Sequence, residues 1–313
     1  MNTLKLACIF SLFVLFSCQN KVKDKFTDTY TSGVIQIAVD ENFQPIVQEE
    51  IDVFEAMNPK AGIKPHYVNE VEAMNLLLKD SVRLVIATRA LSDNEMKYFK
   101  SKTFYPRSYK FATDGIALII NNHNSDSLIT VGQIRRILLG EVTNWNEIYP
   151  NSKQGKLQVV FDNPNSSTVR YAIDSICNGQ KLSKSLFAQN TNSEVINFVS
   201  RTPNAIGIIG VNWLGNAKDT TNLSFKSEIR VMGVSNEVTA TSANCYKPFQ
   251  AYLFYGNYPL TRNIFIILND PRGSLPSGLT SFLTSDRGQR IILKSGLVPA
   301  TQPIRIVHVK DEN

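Results

Sequence analysis

Apolar runs and stretches with apolar residues at helical spacing alternate along most of the chain. Short apolar runs bounded by polar residues predict strands, and apolar residues repeating every three or four positions predict helices. The predicted strands are Val34–Val39, Ile63–Val68, Leu84–Ala87, Ile116–Ile120, Leu157–Phe161 and Ile206–Ile209. The predicted helices are Pro45–Met57, Val71–Leu78, Val131–Leu139, Ser167–Cys177 and Ser193–Ser200. This alternation predicts an α/β protein in which helices cover the faces of a sheet.

The N-terminal segment has a different pattern. Lys5 precedes the apolar core Leu6–Phe16, and a small residue stands directly before Cys18. The core is much shorter than the roughly 20 residues that a membrane-spanning helix needs. The pattern is typical of a bacterial lipoprotein signal, residues 1–17, whose removal leaves an acylated Cys18 at the new N terminus. An ordinary secretory signal with a chance cysteine is the alternative. Residues 18–33 are polar and rich in lysine, which predicts a flexible tether.

Composition is that of a folded domain. Of the 313 residues, 43% are hydrophobic and 19% are charged. The net charge of +6 is spread along the chain without a basic stripe, which argues against nucleic-acid binding. Outside the N-terminal signal and Cys18, two cysteines remain, Cys177 and Cys245, and in an oxidising envelope they either pair or stay free. The three histidines are far apart in sequence, which argues against a structural zinc site.

The segment Thr113–Ile148 contains more specific features. Asp114–Gly115 precedes an apolar strand, Gln133 lies in the following helix, and Gly140 ends that helix before Thr143–Trp145. In these residues the chain resembles the substrate-binding lipoproteins of bacterial phosphate ABC importers, the PstS-like family. Further matches follow in the family's order: a strand ending in Ser-Arg-x-Leu, a return strand, and a C-terminal helix with a closing strand. The matching segments are Arg83–Leu91, Tyr258–Leu268 and Gly288–Pro299.

The resemblance implies a two-lobed periplasmic-binding-protein fold of type II, in which two crossover strands join two α/β lobes around a ligand cleft. Lobe 1 would comprise residues 34–112 and 258–313, and lobe 2 residues 113–257. The implied function is a lipid-anchored receptor of the cell envelope, facing the periplasm or the cell surface. Such a receptor binds phosphate or a related small oxyanion and delivers it to the membrane subunits of an ABC importer. The resemblance implies no cofactor and no metal.

The resemblance also implies a site made of hydroxyl groups and an arginine, which are the donors that a desolvated phosphate needs. Thr88 and Arg89 match the family's Ser-Arg, and Ser166–Thr168 matches its Ser-Gly-Thr at a helix start. Arg89 is alternatively part of a structural ion pair, and the hydroxyls alternatively only cap their helix. The expected ligand-binding residues are Asn42, Thr88, Arg89, Asp114, Ser166, Ser167 and Thr168.

Acidic residues stand where the family has hydroxyls, glycines or an arginine. Two like charges about 4 Å apart cost on the order of 4 kcal/mol at an effective dielectric constant of 20, so carboxylates around an anion would weaken its binding. These residues either face the site or point outward and stabilise helix starts. Arg170, one turn into its helix, is a candidate to replace the missing arginine. The acidic residues are Asp40, Glu41, Glu70, Glu72 and Asp162.

Two functions therefore remain open at the level of sequence. One is the phosphate receptor, and the other is a PstS-like domain with a degenerate site, serving as an envelope adaptor or sensor or binding another ligand. An enzyme is not expected, because a serine hydrolase needs a nucleophilic serine on a sharp turn with a histidine partner. The sequence contains no G-x-S-x-G motif.

Overall fold

A computed structural model describes residues 28–216, 218–219 and 224–301. The predicted signal, the predicted lipidation site Cys18, most of the predicted tether and residues 302–313 lie outside the described residues.

Strands and helices alternate as the sequence predicts. The strands are β1 (Ser32–Asp40), β2 (Lys60–Val68), β3 (Leu84–Ala87), β4 (Arg107–Asn121), β5 (Leu128–Thr130), β6 (Gln158–Phe161), β7 (Phe187–Ala188), β8 (Ala205–Gly210), β9 (Ile229–Val231), β10 (Gly233–Ser235), β11 (Thr261–Leu268) and β12 (Val298–Pro299). The helices are α1 (Gln44–Met57), α2 (Glu70–Leu78), α3 (Asp93–Ser101), α4 (Val131–Leu139), α5 (Ser167–Tyr171), α6 (Asn192–Arg201), α7 (Gln250–Tyr255), α8 (Leu275–Leu283) and α9 (Asp286–Lys294).

The protein has two α/β lobes that share strand β4. The sheet order is β2-β1-β3-β11-β4-β8-β6-β7, and β9 and β12 also pair with β4. The first half of β4 pairs with β11, with Gly115 opposite Thr261, and its second half pairs with β8, with Ile116 opposite Gly210. The backbone therefore passes from the first lobe to the second at Gly115–Ile116. The chain returns to the first lobe at the start of β11, where Thr261 pairs with Gly115.

Alternate residues of each strand face opposite apolar layers, as strand geometry requires. In the first lobe, Ile37 and Val39 pack with α1, whereas Ala38 packs with α2. In the second lobe, Leu118 packs in the layer that contains α4, and Ile119 in the layer that contains α6. Helices therefore cover both faces of the sheet, which confirms the predicted fold class.

Two local predictions need correction. The helix predicted at Ser167–Cys177 is α-helical only to Tyr171 and continues as a π-helical turn over Ala172–Ile176. Residues 28–33, the last of the predicted tether, are part of the fold. Asp28 pairs with Arg83 at 2.5 Å, and a Cβ at Gly278 of α8 would lie 1.9 Å from Tyr30 O. This close approach requires glycine at position 278.

Other predicted features concern packing and the membrane. Trp145 is fully buried, and its Nε1 donates to Asn204 O. Cys177 and Cys245 are free thiols in the described structure, so the disulfide alternative is not realised there. Among the helices described, none combines the length and the apolar character that crossing a membrane demands.

Candidate functional site

A buried ion pair lies where the two lobes meet. Arg262 of β11 stands opposite Asp114 of β4 in the strand register, and its Nε and Nη2 both lie 2.9 Å from Asp114 Oδ2. Arg262 is 6% exposed and Asp114 is fully buried. The Phe43 ring lies 5.1 Å from the guanidinium carbon. Arg262 thus holds a charge at the centre of the inter-lobe cleft, where solvent does not screen it.

The start of α5 presents three buried hydroxyl groups to the cleft, and one of them contacts this arginine. Ser166 caps the helix by accepting from Val169 N at 3.2 Å. Ser167 Oγ accepts from Arg262 Nη1 at 2.8 Å, and Thr168 donates to Asn42 Oδ1 at 3.2 Å. The capping role and the cleft-facing role that the sequence left open therefore coexist, because neighbouring residues take one each.

Asn42 connects the first lobe to this helix start. Its Nδ2 donates to Asp40 Oδ1 at 3.1 Å and to Ser167 Oγ at 3.3 Å. Its backbone carbonyl accepts from Trp213 Nε1 at 2.7 Å. Asp40 also accepts from Asn42 N at 3.1 Å and so caps the short helical turn Glu41–Phe43. Asn42 is fully buried, and its contacts with Ser167 and Trp213 join the two lobes across the cleft.

A second cross-lobe contact lies beside the first. Arg170 of α5 pairs with Glu70 at the start of α2, with Nε 2.5 Å from Oε2, and its Nη2 donates to Thr88 Oγ1 at 2.6 Å. Glu70 also accepts from Thr88 N and Thr88 Oγ1. Burial acts to raise the pKa of Glu70, but the hydrogen bonds and charge of Arg170 outweigh it and the pKa is lowered. Arg170 thus places a guanidinium group at the cleft, but Glu70 already neutralises its charge.

Arg89 does not join this group. Its Nη1 and Nη2 contact the two carboxylate oxygens of Glu95 at 2.7 and 2.8 Å. The Arg89 hydrogen bond, more than any other cause, lowers the pKa of Glu95 to about 2. Glu95 also closes the capping box of α3 with Ser92. The structural ion pair, one of the two interpretations of Arg89 from sequence, is therefore the arrangement observed.

Three carboxylates are fully buried in the cleft: Asp40, Asp114 and Asp162. Burial raises the pKa of Asp40 to about 6, with the nearby Arg262 opposing the shift. Burial likewise raises the pKa of Asp114 and of Asp162 above the usual range. Among the described residues, one oxygen of each carboxylate and Arg262 Nη2 have no aligned hydrogen-bond partner. Buried polar groups are nearly always paired, so these atoms are candidate contacts for a bound ligand.

The other acidic residues lie at the rim. Glu41 is half-buried and accepts from Asn163 Nδ2 of the second lobe, and burial, then Asp162 and Asp40, raises its pKa to about 7. Glu72 is exposed, in the first turn of α2. Of the acidic residues singled out in the sequence, therefore, Asp40, Glu70 and Asp162 face the cleft interior.

The predicted site residues thus divide into two groups. The structure brings Asn42, Asp114, Ser166, Ser167 and Thr168 together, and Thr88 joins them at the edge through Arg170. Arg89 is engaged elsewhere. Sequence reasoning missed Arg262 as a site residue, although it lies in the matched return segment as a lone charge among apolar strand positions. No group of three or more histidine, cysteine or acidic side chains in the described ranges is arranged to hold a metal ion.

The chain matches the family model of the PBP superfamily domain over residues 26–287. It belongs to this family. Within it, the chain is 24% identical over 299 residues to the phosphate-binding protein PstS of Borreliella burgdorferi, covering 92% of this chain and 95% of that protein.

Solved structures of other PBP proteins share the fold. One is a substrate-binding protein from Clostridium perfringens, assigned to phosphate ABC transport and solved with bound phosphate. It has a TM-score of 0.70 at 20% identity and covers 86% of this chain and 100% of that chain. Another is an ABC-type phosphate transport receptor from Vibrio cholerae, with a TM-score of 0.64 at 18% identity, covering 85% and 100%. At these identities the likeness concerns the fold.

Proposed function

We propose that this protein is the extracytoplasmic receptor of an ABC importer and that it binds phosphate or a related small oxyanion in the inter-lobe cleft. The observation that carries the proposal is the buried Arg262, which donates to the Ser167 hydroxyl of the opposite lobe and whose Nη2 lies 2.9 Å from Asp114 Oδ2 without an aligned hydrogen bond among the described residues. A buried guanidinium beside hydroxyl donors suits a tetrahedral oxyanion, because charge-assisted hydrogen bonds offset the loss of hydration. The relatives named for phosphate binding support the same ligand class.

The proposal gives each residue a role. Arg262 supplies the charge and Ser167 a hydroxyl donor, while Thr168 and Asn42, which bond to each other across the cleft, supply further donors once the lobes open. Bending at the two crossings near Gly115 and Thr261 would open the lobes, and closure would bury the ligand. In this proposal the lobes meet a few residues beyond the boundaries predicted from the sequence, which lay at 112/113 and 257/258. Binding and release, with no chemical step, complete the cycle.

We further propose that residues 1–17 are removed and that a lipid on Cys18 anchors the protein at the cell envelope. The support is the sequence pattern around Cys18. The mass of the mature N-terminal peptide tests this, since an unmodified cysteine would contradict it.

Calorimetric titration of phosphate into the fragment Gln19–Asn313, freed of bound ligand by unfolding and refolding, tests the receptor function. Thr168→Val keeps the shape of the side chain and removes its hydroxyl. We expect the variant to bind phosphate about 10-fold more weakly, because it loses roughly one hydrogen bond to the ligand. Arg89→Ala is the control, because Arg89 is paired with Glu95, and its dissociation constant should stay within about 2-fold of the wild type. Absence of heat at millimolar phosphate with folded protein would refute phosphate as the ligand.

The pKa of Asp40 predicts how phosphate affinity depends on pH. With a pKa of about 6, Asp40 is mostly ionised and repels the anion above that value, and is mostly protonated and able to donate below it. We expect wild-type affinity to rise at least about 10-fold as pH falls from about 7.5 to about 5.5. Asp40→Asn is neutral at both pH values, so it should bind phosphate more tightly than the wild type at about pH 7.5 and change less in affinity between about pH 7.5 and about pH 5.5, where Glu41, with a pKa of about 7, still titrates. An equal pH dependence in both proteins would show that Asp40 does not cause it.

A second function is favoured by a specific observation. Direct contacts already join the two lobes: Asn42 with Thr168, Trp213 with Asn42, and Glu70 with Arg170. A domain closed by its own side chains could serve as an envelope adaptor or sensor instead of a transport receptor, or take a ligand other than phosphate. The same titration separates the two, since an adaptor binds no phosphate.

A further inference from the structure

The charges of the cleft do not balance. Arg262 is matched by Asp114, and Arg170 is matched by Glu70. The remaining buried carboxylates, Asp40 and Asp162, are here called the acid pair. In the part of the chain that the structure describes, no cationic side chain lies within ion-pair distance of either member.

Each member of the acid pair is held by one oxygen. Asp40 Oδ1 accepts from Asn42 N and Nδ2, and Asp162 Oδ1 accepts from Ser166 Oγ at 2.6 Å. The other oxygens, Asp40 Oδ2 and Asp162 Oδ2, are buried and have no hydrogen-bond partner among the described residues. These side chains are therefore fixed in place by local bonds, and each keeps one buried oxygen without an aligned protein donor among the described residues.

The acid pair belongs to the same group of contacts as the proposed oxyanion site. Asn42 bonds both to Asp40 and to Ser167, and Ser167 in turn accepts from Arg262. Ser166, which donates to Asp162, directly precedes Ser167 in the chain. Hydrogen bonds therefore connect Asp40 to Arg262 through Asn42 and Ser167, and Asp162 joins the same helix start through Ser166.

An inorganic oxyanion suits this arrangement poorly. Monohydrogen phosphate has one proton to donate, and its charge adds to that of two carboxylates that have no ion-pair partner of their own. An ammonium group has three donors and a positive charge, so it satisfies both free oxygens and balances the charge. Burying a carboxylate is tolerated in proteins when it is paired with a cation and hydrogen-bonded.

We propose, building on the receptor function above, that the cleft takes a phosphate or phosphonate group carrying a primary ammonium on a short linker, with the oxyanion on Arg262 and the ammonium between Asp40 and Asp162. Asp162 and Asp40 then determine specificity, because they distinguish this zwitterion from the simple anion. The residues that depart from the PstS-like pattern thereby acquire a positive role in ligand selection.

Titration with three probes at about pH 7.5 tests this: 2-aminoethylphosphonate, ethylphosphonate, which has the same chain length without the ammonium, and inorganic phosphate. We expect 2-aminoethylphosphonate to bind at least about 10-fold more tightly than either of the others. Equal or tighter binding of phosphate or ethylphosphonate would overturn the inference and leave the receptor function standing. No binding of any probe to the folded protein would overturn both.

Variants of the acid pair should affect the binding of 2-aminoethylphosphonate and of ethylphosphonate differently. Asp162→Asn and Asp40→Asn keep the shape and the local hydrogen bonds but remove a charge, so each should weaken 2-aminoethylphosphonate at least about 10-fold and leave ethylphosphonate unchanged or tighter. Glu141→Gln is the control and should alter neither, because Glu141 is exposed and pairs with the exposed Arg136. Uniform weakening of both probes by Asp162→Asn, in protein whose thermal unfolding is unchanged, would contradict a specific role for its charge.

Discussion

Arg262→Met is expected to lower the free energy of unfolding by about 3–5 kcal/mol, because it leaves Asp114 buried without a cation. Asp114 is fully buried, and Arg262 is its ion-pair partner at 2.9 Å. The substitution also removes the contact to Ser167 and hence a bond between the lobes. Urea unfolding followed by circular dichroism measures the change, and phosphate binding by the variant should fall below detection.

The double variant Arg262→Met with Asp114→Asn separates the ion pair from the packing. Removing both charges should recover much of the stability, since replacing a buried pair costs far less than breaking it. Arg290→Met is the matched surface control: Arg290 pairs with Asp286 but is 66% exposed, so a change of at most about 0.5 kcal/mol is expected. If the single variant were as stable as this control, the cleft would be far better hydrated than the structure indicates.

The fold was readable from the sequence wherever the pattern was local. The helix at Val131–Leu139 has the predicted bounds, because its apolar face, its capping box at Thr130 and the left-handed Gly140 (φ 80°) all lie within a few residues. Helix α3 was not predicted, since its sequence is mostly polar, although Ser92 and Glu95 form a capping box that marks its start. The π-helical turn after Tyr171 has no comparable local signal.

The site was readable only in part, for a physical reason. Ser166–Thr168 could be placed by a motif, because their roles depend on one helix start. Arg262 and Asp114 are 148 residues apart, and only the strand register brings them together. Arg89 shows the converse: a motif matched it to the ligand, but Glu95, a few residues away, holds it in an ion pair. Buried pairing across lobes is a tertiary property that a single sequence does not display.

A second large effect is expected at Glu50, which lies outside the cleft. Glu50 is fully buried on α1, on the face that also buries Ile46, Val47 and Phe54. Neither of its carboxylate oxygens has a hydrogen-bond partner within the described residues. Burial, and to a lesser degree the charge of Glu49, raises the pKa of Glu50 from 4.5 to about 9. The side chain is therefore protonated in the folded protein at neutral pH but ionised in the unfolded chain.

This difference in pKa makes stability depend on pH. Below pH 4.5 Glu50 is protonated in both the folded and the unfolded protein, so its ionisation does not change the free energy of unfolding. Between pH 4.5 and about 9 it ionises only in the unfolded protein, so the free energy of unfolding falls as pH rises. Each pH unit costs about 1.4 kcal/mol, which gives about 3 kcal/mol near pH 7. Glu50→Gln cannot ionise, so we expect it to be more stable than the wild type by an amount that grows with pH over this window.

Urea unfolding of both proteins at several pH values between about 5 and about 8 measures that growth. Glu49→Gln is the matched control, because Glu49 is the exposed neighbour on the same helix, and its difference from the wild type should stay nearly flat across the same range. The slope carries the argument, since a constant offset could arise from the amide's packing alone. A pH-independent difference for Glu50→Gln would mean that Glu50 ionises equally in the folded and unfolded states, and hence that water reaches the α1 core face at this position.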